Sequence, residues 1–178
     1  MGEAMAVAQQ MNIKAAGCLL IADKQTEPFI LLGKDKFRRA YGVLAGKRQK
    51  VMTNAGETCL ETPYQTALRE TVEESRGYWD RDYLRAHSHP ALVLERQQFM
   101  LFRAAVPLVD VEAIKAQKMP RFAPAWAAYR EISDYAWISA KAIMQRPAHS
   151  IPTVDGRTVR VHKALAQELK TAEAMGWW

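Results

Sequence analysis

Three glutamates, Glu70, Glu73 and Glu74, are spaced so that they lie on the same side of a helix. Like charges three or four residues apart on a helix repel one another, at a cost of roughly a few tenths of a kcal/mol per pair. Such crowding suggests a compensating cation, because hard divalent ions such as Mg²⁺ prefer carboxylate oxygens and accompany phosphate substrates. A solvated acidic face has the same pattern, so the surrounding sequence must decide between the two interpretations.

The segment 61–77, ETPYQTALRETVEESRG, carries the signals of a helix. Thr62 is the predicted N-cap, Pro63 the first helical residue, and Gln65 the residue that completes a capping box. At about 100° per residue, one arc of this helix is suited to a core, and the glutamates lie roughly opposite. The core arc contains Tyr64, Leu68, Thr71, Val72 and Ser75. Gly77 is a predicted C-terminal stop.

Apolar periodicity and turn residues predict the other elements. The predicted strands are residues 13–22, 28–33, 43–45, 91–95, 99–106 and 135–138, the first two forming a hairpin. The further predicted helices are residues 109–118, a segment beginning at Ser139, and about 159–175. Residues 47–60 are predicted to be a loop, because Thr53-Asn54 and Gly56 are turn signals. This order predicts an α+β fold, an α/β/α sandwich with a mixed β-sheet between helices.

The composition is typical of a globular protein. With 178 residues, 49% of them hydrophobic and 25% charged, the chain is expected to form a single domain over 1–178. The net charge is +6 and the pI is near 9.4, which favours anionic partners. Because the cations form no clustered basic stripe, nucleic acid is allowed as a partner but is not favoured.

The two cysteines and the N-terminus bear on the compartment. Cys18 and Cys59 form no CxxC pair, so neither a disulfide scaffold nor a zinc site is expected. The first residues lack a basic region followed by a sustained apolar segment, and the sequence shows no membrane span. We therefore expect a cytoplasmic protein with no membrane partner.

The spacing of the acidic residues resembles the sequence box of the Nudix hydrolases, G-x5-E-x7-R-E-U-x-E-E-x-G-U, in which U is an aliphatic residue. Arg69-Glu70 is followed by the pair Glu73-Glu74, and Glu61 lies eight residues before Arg69. Upstream, YGVLAGK is similar to the strand that enters the box, with Gly46-Lys47 matching its end. Downstream, Glu131 and Trp137 in EISDYAW match a Glu and a Trp that many members carry. The resemblance covers about residues 13–145, which it implies are the core of the domain.

The chain departs from the box at three places. Fourteen residues separate Gly46 from Glu61 where the box has five, so the intervening loop is enlarged. An alternative alignment uses Glu57 in Gly56-Glu57-Thr58, but Glu57 then loses its spacing to Arg69. Thr71 replaces the usual aliphatic residue and has a similar shape to Val. One extra residue, Arg76, precedes Gly77, which predicts a slightly longer helix.

The resemblance implies metal-assisted hydrolysis of a diphosphate bond in a substrate X–O–P–O–P–Y. Glu70, Glu73 and Glu74 would hold Mg²⁺ or Mn²⁺, with help from the carbonyl near Gly46. Arg69 would orient a carboxylate of the box through an ion pair, and Glu61 would brace the loop. The general base would be Glu70 or Glu73, with Glu131 as the candidate outside the helix.

The identity of the substrate is less defined by the sequence. The candidate phosphate-binding cations are Arg38, Arg39, Lys47 and Arg48, with Lys34, Lys36 and Lys50 nearby, and the candidate base-stacking aromatics are Phe37, Trp126 and Tyr129. We expect a small nucleotide-derived phosphoanhydride, a nucleoside di- or triphosphate derivative. The alternative is a non-catalytic nucleotide- or RNA-binding module. A homodimer is an expectation from the family resemblance alone.

Overall fold

The computed structural model describes residues 12–24, 27–53, 56–94, 98–118, 131–146 and 149–178. Its strands are β1 (Ala15–Lys24), β2 (Glu27–Asp35), β3 (Tyr41–Gly42), β4 (Leu44–Lys47), β5 (Lys50–Met52), β6 (Thr58–Leu60), β7 (Ser88–Leu94), β8 (Phe99–Ala105), β9 (Ile132–Ser139), β10 (Ile151–Pro152) and β11 (Thr158–Val159). Its helices are α1 (Pro63–Glu74), α2 (Arg81–His87), α3 (Val111–Lys115), α4 (Ala140–Gln145) and α5 (Leu165–Ala174). Within these ranges, no helix is both long and apolar enough to cross a membrane.

Seven strands form one mixed sheet. Its main order is β3-β2-β1-β8-β7, with β4 paired to β1 and β9 paired to β2. The β1 and β2 strands form the predicted antiparallel hairpin, whereas β1 and β8 are parallel. The first part of β1 pairs with β4, so that Ala16 lies opposite Gly46. This pairing brings the end of β4 over the helix that follows the enlarged loop.

The sheet separates two hydrophobic layers, which confirms the predicted α/β/α sandwich. Along β1, Cys18 and Leu20 face the layer that contains α1, α2 and α3, while Leu19 and Ile21 face the layer that contains α4 and α5. This alternation follows from the two-residue period of a strand, which sends successive side chains to opposite faces. Both faces of the central strand are therefore buried, as the apolar run of its sequence requires.

The start of α1 is confirmed, and its end corrects a prediction. The Thr62 hydroxyl accepts from the backbone N–H of Gln65 at 3.1 Å, and the Gln65 side chain accepts from the backbone N–H of Thr62 at 2.8 Å. The helix ends at Glu74 and does not run longer. Arg76 takes the left-handed conformation with φ 57°, two residues after Glu74, where the box has its glycine. Arg76 thus replaces that glycine and is not an inserted residue.

The enlarged loop contains a β-hairpin, which corrects the prediction of a loop over 47–60. The β5 and β6 strands pair antiparallel, from Lys50 opposite Leu60 to Met52 opposite Thr58. Gly56 forms the turn with φ 79°. All residues of these two strands except Val51 are exposed, so no alternation of apolar and polar residues marks them in the sequence.

The C-terminal helix also begins later than predicted, at Leu165 and not near 159. The segment before it is extended because it pairs with β3: the Tyr41 N–H donates to the Arg160 carbonyl at 2.9 Å, and the His162 N–H donates to the Tyr41 carbonyl at 2.8 Å. Leu165 and Leu169 are both buried in this helix. The α2 helix, which Asp80 caps, was not predicted.

Candidate active site

A cleft of about 930 Å³ lies between α1, β4, the turn after β2 and the start of α5. Eight of the predicted site residues line it: Arg38, Gly46, Lys47, Arg69, Glu70, Glu73, Glu74 and Glu131. The β4 strand packs over α1, and the acidic side of the helix lines the cleft beside this contact. Residues that are far apart in the sequence are thus brought to one site.

Arg69 lies at the centre of the acidic cluster. Its Nε donates to Glu61 Oε1 at 2.8 Å and its Nη2 to Glu61 Oε2 at 3.0 Å. Its Nη1 lies 2.8 Å from Glu70 Oε1 and 3.0 Å from Glu73 Oε2. A further bond joins Nη2 to the Lys47 carbonyl at 3.0 Å. The guanidinium therefore connects the helix, the end of β4 and the residue that precedes the helix.

Glu61 connects the enlarged loop to α1. Its Oε2 accepts from the Gln49 N–H at 3.1 Å and from the Thr66 hydroxyl at 3.1 Å, and its backbone N–H donates to the Gln49 carbonyl at 2.9 Å. Burial alone would raise the pKa of Glu61, but the hydrogen bonds from Arg69 and Gln49 outweigh it and lower the pKa below its ordinary value. Glu61 is therefore held as a carboxylate at neutral pH.

Two of the glutamates lie directly beneath β4. Glu74 Oε2 accepts from the Ala45 N–H at 2.7 Å. A Cβ atom at Gly46 would overlap the Glu70 carboxyl group, so only glycine fits at this position. Glu70 and Glu74 are only 7% and 5% exposed. The backbone of Ala45 and Gly46 thus forms one wall of the acidic site.

The three glutamates of the cluster are difficult to ionise together. Burial raises the pKa of Glu70 and of Glu73, and the charge of Arg69 opposes the increase in both. For Glu74, burial and the neighbouring charge of Glu70 raise the pKa well above its ordinary value of 4.5. The charge of Glu131 contributes to the raised pKa of both Glu70 and Glu74, which places it close enough to act on the same site.

The chemistry of this donor set fits a hard divalent cation. Three carboxylates, those of Glu61, Glu70 and Glu73, contact the single guanidinium of Arg69, so negative charge is in excess. The Glu74 carboxyl group lies under Ala45 in the same cluster, and all the side-chain donors are oxygen atoms. Among the residues that the structure describes, no three acidic, histidine or cysteine side chains are already arranged so that they could hold a metal ion. Arg69 instead binds one oxygen each of Glu70 and Glu73, and the open cleft lies beside them.

The predicted phosphate-binding cations divide into two groups. Arg38 and Lys47 line the cleft. Arg48 is turned the other way, its Nε donating to the Glu61 carbonyl at 2.5 Å and its Nη1 to the Ile13 carbonyl at 3.0 Å. Arg39 is exposed with φ 52° and is not among the residues that line the cleft.

The aromatic candidates also differ in placement. Phe37 is 83% exposed at the turn after β2, next to the cleft-lining Arg38. Trp126 and Tyr129 lie outside the described residues. Glu131 is exposed, and its carbonyl accepts from the Lys36 N–H at 2.9 Å, which joins the start of β9 to the same turn.

Several residues of the site were not identified from the sequence. Asp35 fixes the turn, since its Oδ1 accepts from the N–H groups of Phe37 at 2.7 Å and Arg38 at 2.9 Å. An Asp before a polar turn is a recognisable local signal, and it was overlooked. Phe99, His162 and Glu168 line the far side of the cleft, and their sequence surroundings contain no signal of this role.

No protein-family model matches the sequence, and none of the curated proteins matches it significantly. Solved structures are nevertheless similar in fold. A bifunctional NMN adenylyltransferase/ADP ribose pyrophosphatase from Francisella tularensis, crystallised with AMP and a manganese ion, gives a TM-score of 0.53 at 14% identity over 97% of this chain and 45% of its own. A Nudix hydrolase from M. smegmatis gives 0.51 at 15% identity, covering 94% and 88%. An Ap4A hydrolase from C. elegans gives 0.50 at 14% identity, covering 92% and 98%.

Proposed function

We propose that this chain, which has the Nudix fold, catalyses the metal-dependent hydrolysis of a diphosphate bond in a nucleotide-derived small molecule. The observation that carries the proposal is the excess of carboxylate over guanidinium charge at the cleft, with Glu70 and Glu74 buried beneath Ala45 and Gly46. Burying carboxylates costs free energy unless they are compensated, and a divalent cation supplies that compensation.

The proposed metal ligands are Glu70, Glu73 and Glu74, together with the backbone carbonyl at Gly46. When bound, Mg²⁺ or Mn²⁺ would neutralise phosphoryl oxygens and lower the pKa of a water molecule. Arg69 keeps Glu70 and Glu73 on the side of the helix that faces the cleft, and Glu61 holds Arg69 in place from below. The same guanidinium reduces the repulsion within the cluster before a cation arrives.

Three residues are candidates for accepting the proton of the attacking water. Glu70 and Glu73 have raised pKa values because of burial, which increases their affinity for a proton. Glu131 lines the same cleft from the start of β9. Glu131 is not a proposed metal ligand, so loss of the acidic limb of the pH–rate profile in Glu131→Gln would identify it as the base. For Glu70→Gln and Glu73→Gln, Mn²⁺ binding measured beside the rate separates loss of the metal from loss of the base.

Two kinds of observation support a nucleotide-derived substrate. Lys47 and Arg38 provide positive charge beside the acidic cluster, which suits a phosphate chain. Two of the similar structures are described as an Ap4A hydrolase and an ADP ribose pyrophosphatase. Their names motivate the proposal that X in X–O–P–O–P–Y is a nucleoside, and the exposed ring of Phe37 is available to stack on a base.

The proposal is tested by measuring phosphate and pyrophosphate release from nucleoside di- and triphosphates, nucleotide sugars and dinucleoside polyphosphates, with Mg²⁺ or Mn²⁺. We expect Glu73→Gln and Glu74→Gln to lower kcat/KM by about 10²-fold or more, because a metal ligand is lost. Glu173→Gln, at an exposed position of α5, is the matched control and should retain the wild-type rate. Equal rates in all four proteins would contradict the proposal. Binding of nucleotides without any turnover would instead identify a non-catalytic module.

A further inference from the structure

The end of α1 is unusual in its backbone. Arg76 has φ 57°, a left-handed conformation that L-residues with a Cβ atom rarely adopt. The N–H of Arg76 donates to the Glu73 carbonyl at 3.0 Å, and the N–H of Gly77 donates to the Val72 carbonyl at 2.7 Å. This is the Schellman arrangement, whose left-handed position normally holds glycine. An arginine at this position therefore has a cost in backbone free energy.

The side chain of Arg76 is used at the back of the helix. Its Nη1 donates to the Lys115 carbonyl at 2.8 Å, and its guanidinium carbon lies 6.0 Å from the centroid of the Tyr135 ring. Its Nε is buried and has no hydrogen-bond partner among the described residues. The guanidinium thus links the end of α1 to α3 and to β9.

Tyr135 completes the same arrangement. It is fully buried, and its hydroxyl donates to the Glu74 carbonyl at 2.5 Å. The carbonyls of Thr71, Val72 and Glu73 accept backbone N–H groups from the residues that follow the helix. The Glu74 carbonyl accepts the tyrosine hydroxyl, so a side chain from β9 supplies the bond that a longer helix would have provided.

Glu74 is consequently fixed at both ends. Its carbonyl is held by Tyr135 of β9, and its carboxylate accepts from the Ala45 N–H of β4 at 2.7 Å. Glu74 is the last residue of α1, and terminal helical residues are the ones that fray. A cation ligand at a fraying end would not keep its geometry, and partners outside the ligand sphere typically change metal affinity by about 10- to 100-fold.

We propose that Tyr135 and Arg76 are positioning residues that hold Glu74 in place for cation binding, Tyr135 through the Glu74 carbonyl and Arg76 through the Tyr135 ring and the Lys115 carbonyl. This inference rests on the proposed metal-dependent function. It gives Arg76 a role at a position where glycine would adopt the left-handed backbone conformation without strain.

The test measures Mn²⁺ binding to the substrate-free protein, from the loss of the electron paramagnetic resonance signal of free Mn²⁺. We expect Tyr135→Phe to weaken Mn²⁺ binding by about 10-fold, since it removes only the hydroxyl that holds Glu74. Tyr41→Phe is the matched control: it removes another buried hydroxyl, which donates to Asp134 at 2.6 Å and does not touch α1. Its Mn²⁺ affinity should equal that of the wild type, even if both variants lose a similar amount of thermal stability.

Arg76→Gly provides a second measurement that does not depend on the folding of Tyr135→Phe. Glycine suits the left-handed position, so the helix cap is kept while the side-chain link is lost. We expect Arg76→Gly to bind Mn²⁺ several-fold more weakly than the wild type. Arg76→Lys should also bind Mn²⁺ more weakly than the wild type, because a lysine lacks the planar donor set of an arginine. If Tyr135→Phe and Arg76→Gly bind Mn²⁺ as tightly as the wild type, this inference is wrong but the proposed function still stands. No Mn²⁺ binding by the wild type would overturn the proposed function and the inference with it.

Discussion

The guanidinium of Arg69 and the carboxylate of Glu61 form a two-point ion pair, with Nε to Oε1 at 2.8 Å and Nη2 to Oε2 at 3.0 Å. Both side chains are largely buried, at 12% and 6% exposure. Glu61 ends the enlarged loop, and Arg69 lies two turns into α1, so the pair fixes the orientation of the helix relative to that loop. The Glu70 and Glu73 carboxylates, which contact the same guanidinium, are aligned as a consequence.

Removing one partner of this pair should be strongly destabilising. In Glu61→Gln the amide cannot replace the carboxylate charge, and Arg69 is left buried with a reduced partner set, at an expected cost of about 3 kcal/mol. Urea denaturation of Glu61→Gln, Arg69→Lys and the double variant should show that the two effects are not additive. The control is Arg85→Lys at the exposed pair with Asp82, 3.5 Å apart, where we expect less than about 0.5 kcal/mol. Equal effects at the two pairs would contradict the structural role of Glu61.

The parts of the site that follow from local chemistry could be predicted from the sequence. The capping box of Thr62 and Gln65 is formed by neighbours in the chain, and only the N-cap and the first two turns of α1 separate Arg69 from Glu61. The alternation of β1 between the two layers likewise follows from the period of a strand.

The parts that depend on long-range pairing could not be predicted. The wall formed by Ala45 and Gly46 exists because β4 pairs with the first half of β1, a register that no local signal specifies. Arg48 carries the same charge as its neighbour Lys47, but its side chain donates to the carbonyl of Ile13, which lies far away in the sequence. The β5–β6 hairpin was missed because all of its strand residues except Val51 are exposed and show no apolar–polar alternation.

Gly46→Ala should damage the site directly. A Cβ atom at Gly46 would overlap the Glu70 carboxyl group, so either β4 or Glu70 must move. We expect a loss of hydrolytic rate of about 10²-fold, because a displacement of about 1 Å at a reacting centre has an effect of this size. Thermal unfolding should also show a lower Tm. Gly42→Ala is the matched stability control, since nothing lies within 4 Å of its added Cβ atom, and its Tm should not fall. An unchanged rate in Gly46→Ala would show that the contact with Glu70 is not required.

Glu74→Gln should stabilise the metal-free protein at neutral pH. The pKa of Glu74 is raised in the folded state, chiefly by burial, so its ionised form costs stability above that pKa. The stabilisation by the substitution should therefore be largest at high pH and should shrink as the pH falls toward about 4.5, the ordinary value. Glu61→Gln is the opposite case: the lowered pKa of Glu61 means that its stabilising contribution is present above its unfolded pKa and is lost as the pH falls through the folded value.

Denaturation of the metal-free variants, measured in the presence of a chelator at several pH values, tests both predicted directions of the stability change. Added Mg²⁺ should stabilise the wild type and should have little effect on Glu74→Gln, because binding to the folded state alone raises stability by mass action. A Glu74→Gln variant that is less stable than the wild type at every pH without metal would contradict the raised pKa. An equal Mg²⁺ stabilisation of the two proteins would show that Glu74 is not a ligand.

Lys47 and Arg48 are adjacent cations that should respond differently to truncation. Lys47 is exposed at the cleft, so Lys47→Ala should raise KM for a phosphoanhydride substrate by about 10-fold, and the dependence of KM on salt should become weaker.

Arg48 donates to the carbonyls of Glu61 and Ile13, so Arg48→Ala leaves two acceptors without their donor and should lower the free energy of unfolding by about 2 kcal/mol. Its KM should change little at a temperature where the variant is folded. Steady-state kinetics and urea denaturation of both variants measure the two effects separately. A raised KM in Arg48→Ala with unchanged stability would place Arg48 among the substrate contacts, because a residue that only braces the loop would affect stability first.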